Sequence, residues 1–513
     1  MPSQSRSFHP NWNDDEWYRY TRGRFLSKES YEMTIRHVEF NMNELAKHAA
    51  ESIGLTDAHC VHIEKFPDGM FNKAFLFTMQ DGRKVVGKVP NPNADRAQYT
   101  IASEVATMDF ASNELNTPVP KVLAWSSKAG NSVGAEYIIM ENVEGIQLNQ
   151  VWPKMDIKQK FELVKAISGS QRNWMSMAFK QYGSLYYSSD LANSDGCVLV
   201  KEDASEDRSY KFAVGPSAGR GFLDDGRIAV DFDRGPWTSA EQYKQAVGLR
   251  EIACLENMAQ LPRSSLSLYG PGTMIPFRPE RIAAVQNYLR LLKFLLPADQ
   301  SIMSAYLWHP DLHTENIFVH PERPSEVLGI IDWQSSEILP LFDHARQPYI
   351  LDYDGPSSTT LDPPTFPEDF DNLDPIEQSR SQDLYLRMSL AMEFQQTTSF
   401  DMMLFAQNLL IDGDALYQSR CLDLENEWTS LPGVQASGNP PFPLRLSPDE
   451  GVGLMQTLRQ SLGPLWPEKG IVRPEQYGEV KGILKQAKVE MIEELEPSEA
   501  ERAVWEESWP FDE

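Results

Sequence analysis

Basic residues are scarce in this chain: 47 Lys and Arg stand against 74 Asp and Glu over 513 residues, a net charge of −27. That balance excludes a sequence-independent grip on nucleic acid or on an anionic membrane, because both are held mainly by Lys and Arg. A local cationic pocket for a phosphate is still allowed. The four cysteines, Cys60, Cys197, Cys254 and Cys421, lie too far apart for a zinc module or a disulfide framework, which points to a reducing intracellular compartment. Long apolar runs are missing as well. The best candidate, LRLLKFLLP, is interrupted by Arg290 and Lys293, so no membrane insertion is expected. The first thirteen residues lack acids, but Asp14 and Asp15 follow with no apolar stretch. No secretory signal is read there, at most a very short transit peptide, and the cytoplasm is the expected location.

What is present suits a folded protein: 41% of residues are hydrophobic and 24% charged. The length suits about three units, or one catalytic fold with insertions. Residues 1–40 read as an extension packed on the body. A helix follows, capped by Asn43, with Leu45, Ala49 and Ile53 on one face and Gly54 at its end. FLFTMQ and RKVVGKV flank Asp81-Gly82, which predicts a hairpin with a two-residue turn and positive φ at both central positions. Ile101, Val105, Met108 and Leu115 recur at helical spacing, then VPKVLAW and AEYIIME read as strands. Residues 41–142 thus form a small α+β lobe built on an antiparallel sheet.

Residues 143–513 read as a larger, mainly helical lobe. Asp156 caps a helix carrying Ile157, Phe161, Val164, Trp174 and Phe179, stopped at Gly183. Residues 183–280, with five scattered glycines from Gly215 to Gly235, read as an insertion of loops and small strands. PERIAAVQNYLRLLKFLLP is a helix with Ile282, Val285, Leu289, Leu292 and Leu296 inward. Further helices are expected around 376–428, 447–461 and 473–496, and the acidic stretch after Glu490 is expected to be solvated.

Chemistry concentrates in WHPDLHTENIFV and the following VLGIIDWQ, which match the kinase catalytic loop H-x-D-L-x-x-x-N and its metal-binding Asp. Asp311 would orient and deprotonate an attacking hydroxyl, with Asn316 and Asp332 holding Mg²⁺ against the β and γ phosphates of ATP. IFV paired with VLGII as a hairpin would bring Asn316 and Asp332 together. A rival reading takes His309, Asp311 and His313 as the metal cluster of a hydrolase.

Upstream, Lys88 follows VVG as the strand lysine of V-A-I-K does and would contact the α and β phosphates. Glu104, bordering the buried helix stripe, is its candidate partner; a plain surface acid is the competing reading. FPDGMFNKAF has one glycine, Gly69, where a protein kinase nucleotide loop has three, so backbone amides can cradle phosphate without the full motif. YIIMENVEG is the expected hinge, with backbone groups of Glu141 and Val143 for adenine.

HPDLHTEN with IIDW, preceded by FNKAF, VVGKVPNPN and EYIIMENVEG, resembles the aminoglycoside phosphotransferase and choline kinase superfamily. Within it, the sequence is similar to the fungal branch that includes altered inheritance of mitochondria protein nine, from about Tyr18 to at least His344. The resemblance implies a bilobal protein-kinase-like fold, ATP with magnesium, and the roles given for Lys88, Glu104, Asp311, Asn316 and Asp332. It also implies that His309 buttresses the catalytic loop and that a mitochondrial location is an option. Pro310 replaces the arginine of H-R-D, Gln334 stands where D-F-G has glycine, and no A-P-E follows, so a regulated peptide-docking platform is not expected. The expected activity is transfer of the γ-phosphoryl group of ATP to a hydroxyl of a small, neutral or cationic molecule. The alternative is a pseudokinase-like nucleotide-binding scaffold linked to mitochondrial function.

Overall fold

The computed structural model describes residues 11–55, 59–94, 98–191, 211–259, 278–297, 299–344, 428–444 and 471–494, with a few single positions elsewhere. The helix expected at 376–428 lies almost wholly outside these residues, and the one at 447–461 wholly outside. The chain opens with strand β1 (Arg24–Phe25) and helix α1 (Glu29–Thr34), then α2 (Met42–Glu51). Asn41, not Asn43, caps α2 by accepting from the Glu44 N–H. Asn43 instead accepts from Trp12 N–H and donates to Asn11, pinning the extension.

Strands β2 (Cys60–Lys65), β3 (Asn72–Met79), β4 (Lys84–Pro90), β5 (Val122–Ser126) and β6 (Tyr137–Glu141) form one antiparallel sheet in the order β2-β3-β4-β6-β5. Alternation in NKAFLFTM buries Phe75, Phe77 and Met79 against α2, as period-2 patterning requires. Gly87 is needed opposite them: a Cβ there would sit 2.6 Å from the Phe77 ring. The β3–β4 hairpin forms as expected, but its turn differs. Gly82 N–H donates to Met79 C=O and Met79 N–H to Arg83 C=O, so the loop has three residues and Gly82 alone has positive φ, at 86°. Asp81 accepts from Arg83 N–H and needs no left-handed backbone.

Helix α3 (Tyr99–Asn113) is buried on nearly every side. Its Ile101, Val105 and Met108 join the main apolar cluster of the large lobe, so α3 ties the two lobes together. The hinge leads to β7 (Ile146–Gln147) and helix α4 (Ile157–Trp174), which Asp156 starts with a full capping box. This helix ends at Trp174, earlier than expected; Phe179 lies beyond it in a bridge to Ala305, and Ile157 is exposed. Strands β8 (Ser184–Tyr187) and β9 (Phe212–Gly215) pair next.

The stretch 183–280 is more regular than the glycines suggest, because helix α5 (Ala240–Asn257), capped by Ser239, runs through it. It packs on helix α6 (Arg278–Leu295), whose buried face centres on Ala284, Val285, Tyr288, Leu291 and Leu292, slightly rotated from expectation. Strands β10 (Ala305–Trp308), β11 (Ile317–Val319), β12 (Val327–Ile330) and β13 (Glu337–Pro340) carry the site loops. Last come β14 (Ile471–Val472), paired with β1, and helix α7 (Tyr477–Glu494). Trp509, within the stretch expected to be solvated, is buried with Leu26, Val472 and Leu484, since an indole gains more from that cluster than from water. The architecture is α+β and bilobal: a small antiparallel-sheet lobe and a larger, mainly helical one.

Candidate active site

The pairing of β11 with β12, Ile317 opposite Ile330, sets Asn316 and Asp332 side by side at the open end of a hairpin. Ile331 N–H donates to the Asn316 carbonyl at 2.9 Å, closing the gap between them. The Asn316 amide donates to the Asp311 carbonyl at 3.0 Å, so its Nδ2 is bonded to the loop of Asp311 and only its side-chain oxygen suits a cation. Asp332 has φ of 63°, in the left-handed region that non-glycine residues avoid, a backbone cost usually found where function requires it.

His309 is buried, and both ring nitrogens are used. Nδ1 accepts from Asp311 N–H at 3.1 Å and Nε2 faces the Ile331 carbonyl at 2.9 Å. One acceptor and one donor make the neutral ring, and burial lowers its pKa in the same sense. His309 therefore clamps the loop of Asp311 to the loop of Asp332, with Trp333 edge-on beneath at 4.7 Å. The hydrolase reading loses its ligand here, because neither nitrogen has a lone pair to give a metal; among the described residues no group of three or more His, Cys, Asp or Glu could hold one. Asp311 projects outward, its carboxylate half exposed, 3.4 Å from His313 Nε2. The hydrogen bond to Asp311 raises the pKa of His313.

Lys88 is buried, and its ammonium lies 2.6 Å from Glu104 and 2.8 Å from Asp332. The sheet register places it opposite Ala74 and Ile138, pointing to α3 and away from the Phe77 side of the sheet. Burial opposes the charge on Lys88, but the two carboxylates outweigh it and raise its pKa. Burial raises the pKa of Glu104, partly offset by Lys88, while at Asp332 burial is overcome by Lys88 and the pKa falls. The pairing with Asp332 across the lobes was not legible in the sequence, which put Lys88 against Glu104 alone.

Gly69 closes the turn between β2 and β3 by donating its N–H to the Asn72 carbonyl at 3.0 Å. As it stands, that amide is committed to the loop. The loop is instead fixed by charges that sequence reasoning passed over. Asp68 is buried and accepts from Thr21 N–H at 2.8 Å, from Thr21 Oγ1 at 2.7 Å and from Lys65 at 2.9 Å, with the wholly buried Lys73 3.5 Å away. Burial pulls Lys73 down to about 8 despite Asp68. D-G-M-F-N-K offered one signal for this: a lysine on an inward strand position, which burial tolerates only beside an acid. Asn72 also donates to Gln334, joining the β2–β3 loop to the residue two positions after Asp332.

At the hinge, Glu141 N–H donates to Lys121 C=O at 3.0 Å and Val143 C=O accepts from Gly145 at 2.9 Å. Two of the backbone groups expected to meet a base, the Glu141 N–H and the Val143 carbonyl, are thus bonded within the protein. Gly145 is required, because a Cβ would lie 2.9 Å from the Val319 carbonyl.

No family model matches the chain. A subtelomeric hrmA-associated cluster protein of Aspergillus fumigatus is 32% identical over 350 residues, covering 62% of this chain and 66% of its own length. Altered inheritance of mitochondria protein 9 of Saccharomyces cerevisiae, whose name carries the word mitochondrial, is 28% identical over 350 residues, 62% of this chain and 53% of that protein. Both are homologues. Among solved structures, the apo form of a thermostable mutant of aminoglycoside phosphotransferase APH(4)-Ia aligns over 77% of this chain and 96% of its own, at 14% identity and a TM-score of 0.35. The chain spans between about half and two thirds of the length of these fungal relatives. Among the described residues no helix is long and apolar enough to cross a membrane.

Proposed function

We propose that this protein is an ATP- and magnesium-dependent phosphotransferase that moves the γ-phosphoryl group to a hydroxyl of a small molecule. One observation carries the reading: a buried lysine from the small lobe held by Glu104 and Asp332, beside a loop that presents Asp311 and Asn316. A buried cation shared by two acids is expensive unless an anionic ligand or the fold requires it. The donor set at Asn316 and Asp332 fits magnesium, a hard ion that takes oxygen ligands and completes its shell with phosphates and water. Magnesium held there supplies positive charge at the β and γ phosphates.

In this reading Lys88 grips the α and β phosphates while Glu104 keeps it aimed. The hinge groups of Glu141 and Val143 hold the base. Asp311 takes up the acceptor hydroxyl by its half-exposed carboxylate, orients it for in-line attack and receives its proton. His309 keeps the two aspartate loops in register. The absence of an arginine before Asp311 implies no dependence on a phosphorylated loop, and the net charge of −27 favours a neutral or cationic acceptor through steering. A mitochondrial location for this chain is proposed from its relative's name.

A scaffold without turnover is the second reading, favoured by the single glycine of the nucleotide loop and by the commitment of its amide to Asn72. Thermal unfolding with ATP, with and without magnesium, followed by an unbiased metabolite phosphorylation screen, separates them. Stabilisation and a phosphorylated alcohol support the enzyme; stabilisation with no product across a broad screen supports the scaffold; no stabilisation refutes both.

A further inference from the structure

Resting on that phosphotransferase reading, we propose that Arg220, from the large lobe, is the second phosphate-binding cation of the site and contacts the γ-phosphoryl group of bound ATP. Its guanidinium lies 3.3 Å from the centroid of the Phe71 ring, at the tip of the nucleotide loop between Gly69 and Asn72. The large lobe thus reaches the small lobe's phosphate loop through a cation on an aromatic face.

The segment that carries Arg220 is built to hold it there. Ser217 donates to Glu337 at the start of β13 and accepts from Gly219 N–H at 3.0 Å. Gly219 lies flush on the Glu337 carboxylate, which a Cβ would overlap, so only glycine lets the chain approach β13, the strand that follows the Asp332 loop. Asp224, one turn on, receives the guanidinium at 3.2 Å and fixes its reach. The side chain is mostly covered, at 23% exposure. An arginine seated on the Phe71 ring of this loop has the charge and planar fork suited to phosphate oxygens.

The chemistry gives it a task. A nucleotide loop with one glycine, whose amide is already bonded, offers fewer N–H groups to phosphate than a three-glycine loop does. The triphosphate then needs a cation from elsewhere, and Arg220 supplies it from its seat on Phe71. Contact with the γ rather than the α or β phosphate follows from its origin in the large lobe, the lobe that carries Asp311 and the acceptor.

Calorimetric titration with the magnesium complexes of ADP and of a non-hydrolysable ATP analogue tests this on the full chain. In Arg220→Gln, affinity for the analogue should fall about 10- to 100-fold, the range of a lost charge-assisted bond, while affinity for ADP changes less than about threefold. Arg220→Lys should recover part of the loss. Equal losses for both nucleotides, or none, would overturn the assignment to the γ phosphate. If Arg220→Gln fails to fold, Phe71→Leu, which removes the seat but not the charge, should show the same selective loss, and a uniform change refutes the idea. A wild type that binds neither nucleotide refutes the phosphotransferase reading itself, an outcome distinct from an unselective variant.

Discussion

Replacing Lys88 by methionine removes the cation that stands between Glu104 and Asp332. Glu104 is 1% exposed, and its second carboxylate oxygen has no hydrogen-bond partner among the described residues. The variant therefore strands a buried carboxylate. Breaking a buried pair from one side costs about 3 to 5 kcal/mol, most of it the desolvation of the charge left behind. That loss must depend on pH. Burial already raises the pKa of Glu104 above the ordinary 4.5, and without Lys88 the main opposing charge is gone. A carboxylate whose folded pKa is raised binds more protons folded than unfolded, so stability falls as pH rises from the unfolded value through the folded one.

The Lys88→Met deficit should accordingly be largest at pH 8 and smaller by at least about 1 kcal/mol at pH 5, where the stranded acid is partly protonated. Urea unfolding at both pH values, at unchanged m, measures it. Adding Glu104→Leu should return much of the lost stability, because an apolar pair of similar size has no charge to strand. A deficit independent of pH, or a double mutant that loses the sum of the single losses, would show that the pair is not energetically coupled.

Asp311→Asn should keep nucleotide affinity within about twofold and lower turnover at least about a hundredfold, read from steady-state rates; unchanged turnover would make Asp311 structural. Asp332→Ala should abolish most of the magnesium dependence of ATP binding, and calorimetry showing equal magnesium dependence in wild type and variant would remove Asp332 from the metal site. Asp68→Asn should destabilise the protein by an amount that grows as pH falls from 9 to 7. Lys73, held at about 8 with Asp68 beside it, then sinks further below its unfolded 10.5, and the charging penalty it carries continues to lower pH. A pH-independent loss in melting experiments would refute that link.

Much of the site was legible because its chemistry is local. H-P-D-L-H-T-E-N and G-I-I-D are short segments whose spacing already sets two residues at a hairpin mouth, and Glu104 falls where α3 turns toward the sheet. What escaped depends on contacts between distant segments. Thr21 meets Asp68, Asn72 meets Gln334 and Arg220 meets Phe71 across separations that no local pattern encodes. Helix α5 escaped for another reason. Its Lys244, Arg250 and Glu251 are buried in ion pairs with Asp343, Glu251 and Arg227, so polar residues fill inward positions and the apolar period fails. The cap moved from Asn43 to Asn41 because both can cap, and only the packing of Trp12 decides between them.

The net charge of −27 is an average that the site does not share. Exposed charges are screened beyond about 8 Å at physiological ionic strength, so the cations near the phosphates set the local field. Lys65 and Lys73 are there, but Asp68 balances them and they hold the loop rather than the ligand. In the proposed reading, positive charge for a triphosphate comes from Lys88 and Arg220, and each is shared with a carboxylate, Asp332 or Asp224. A nucleotide alone would have to take Lys88 from Asp332 and leave that carboxylate facing its own phosphates. With a dication on Asp332 and Asn316 the same exchange leaves no like charges opposed. In this site magnesium should therefore govern binding of ATP as well as its reaction, and the lysine that pairs with Asp332 is the group that the loaded cleft turns toward the phosphates.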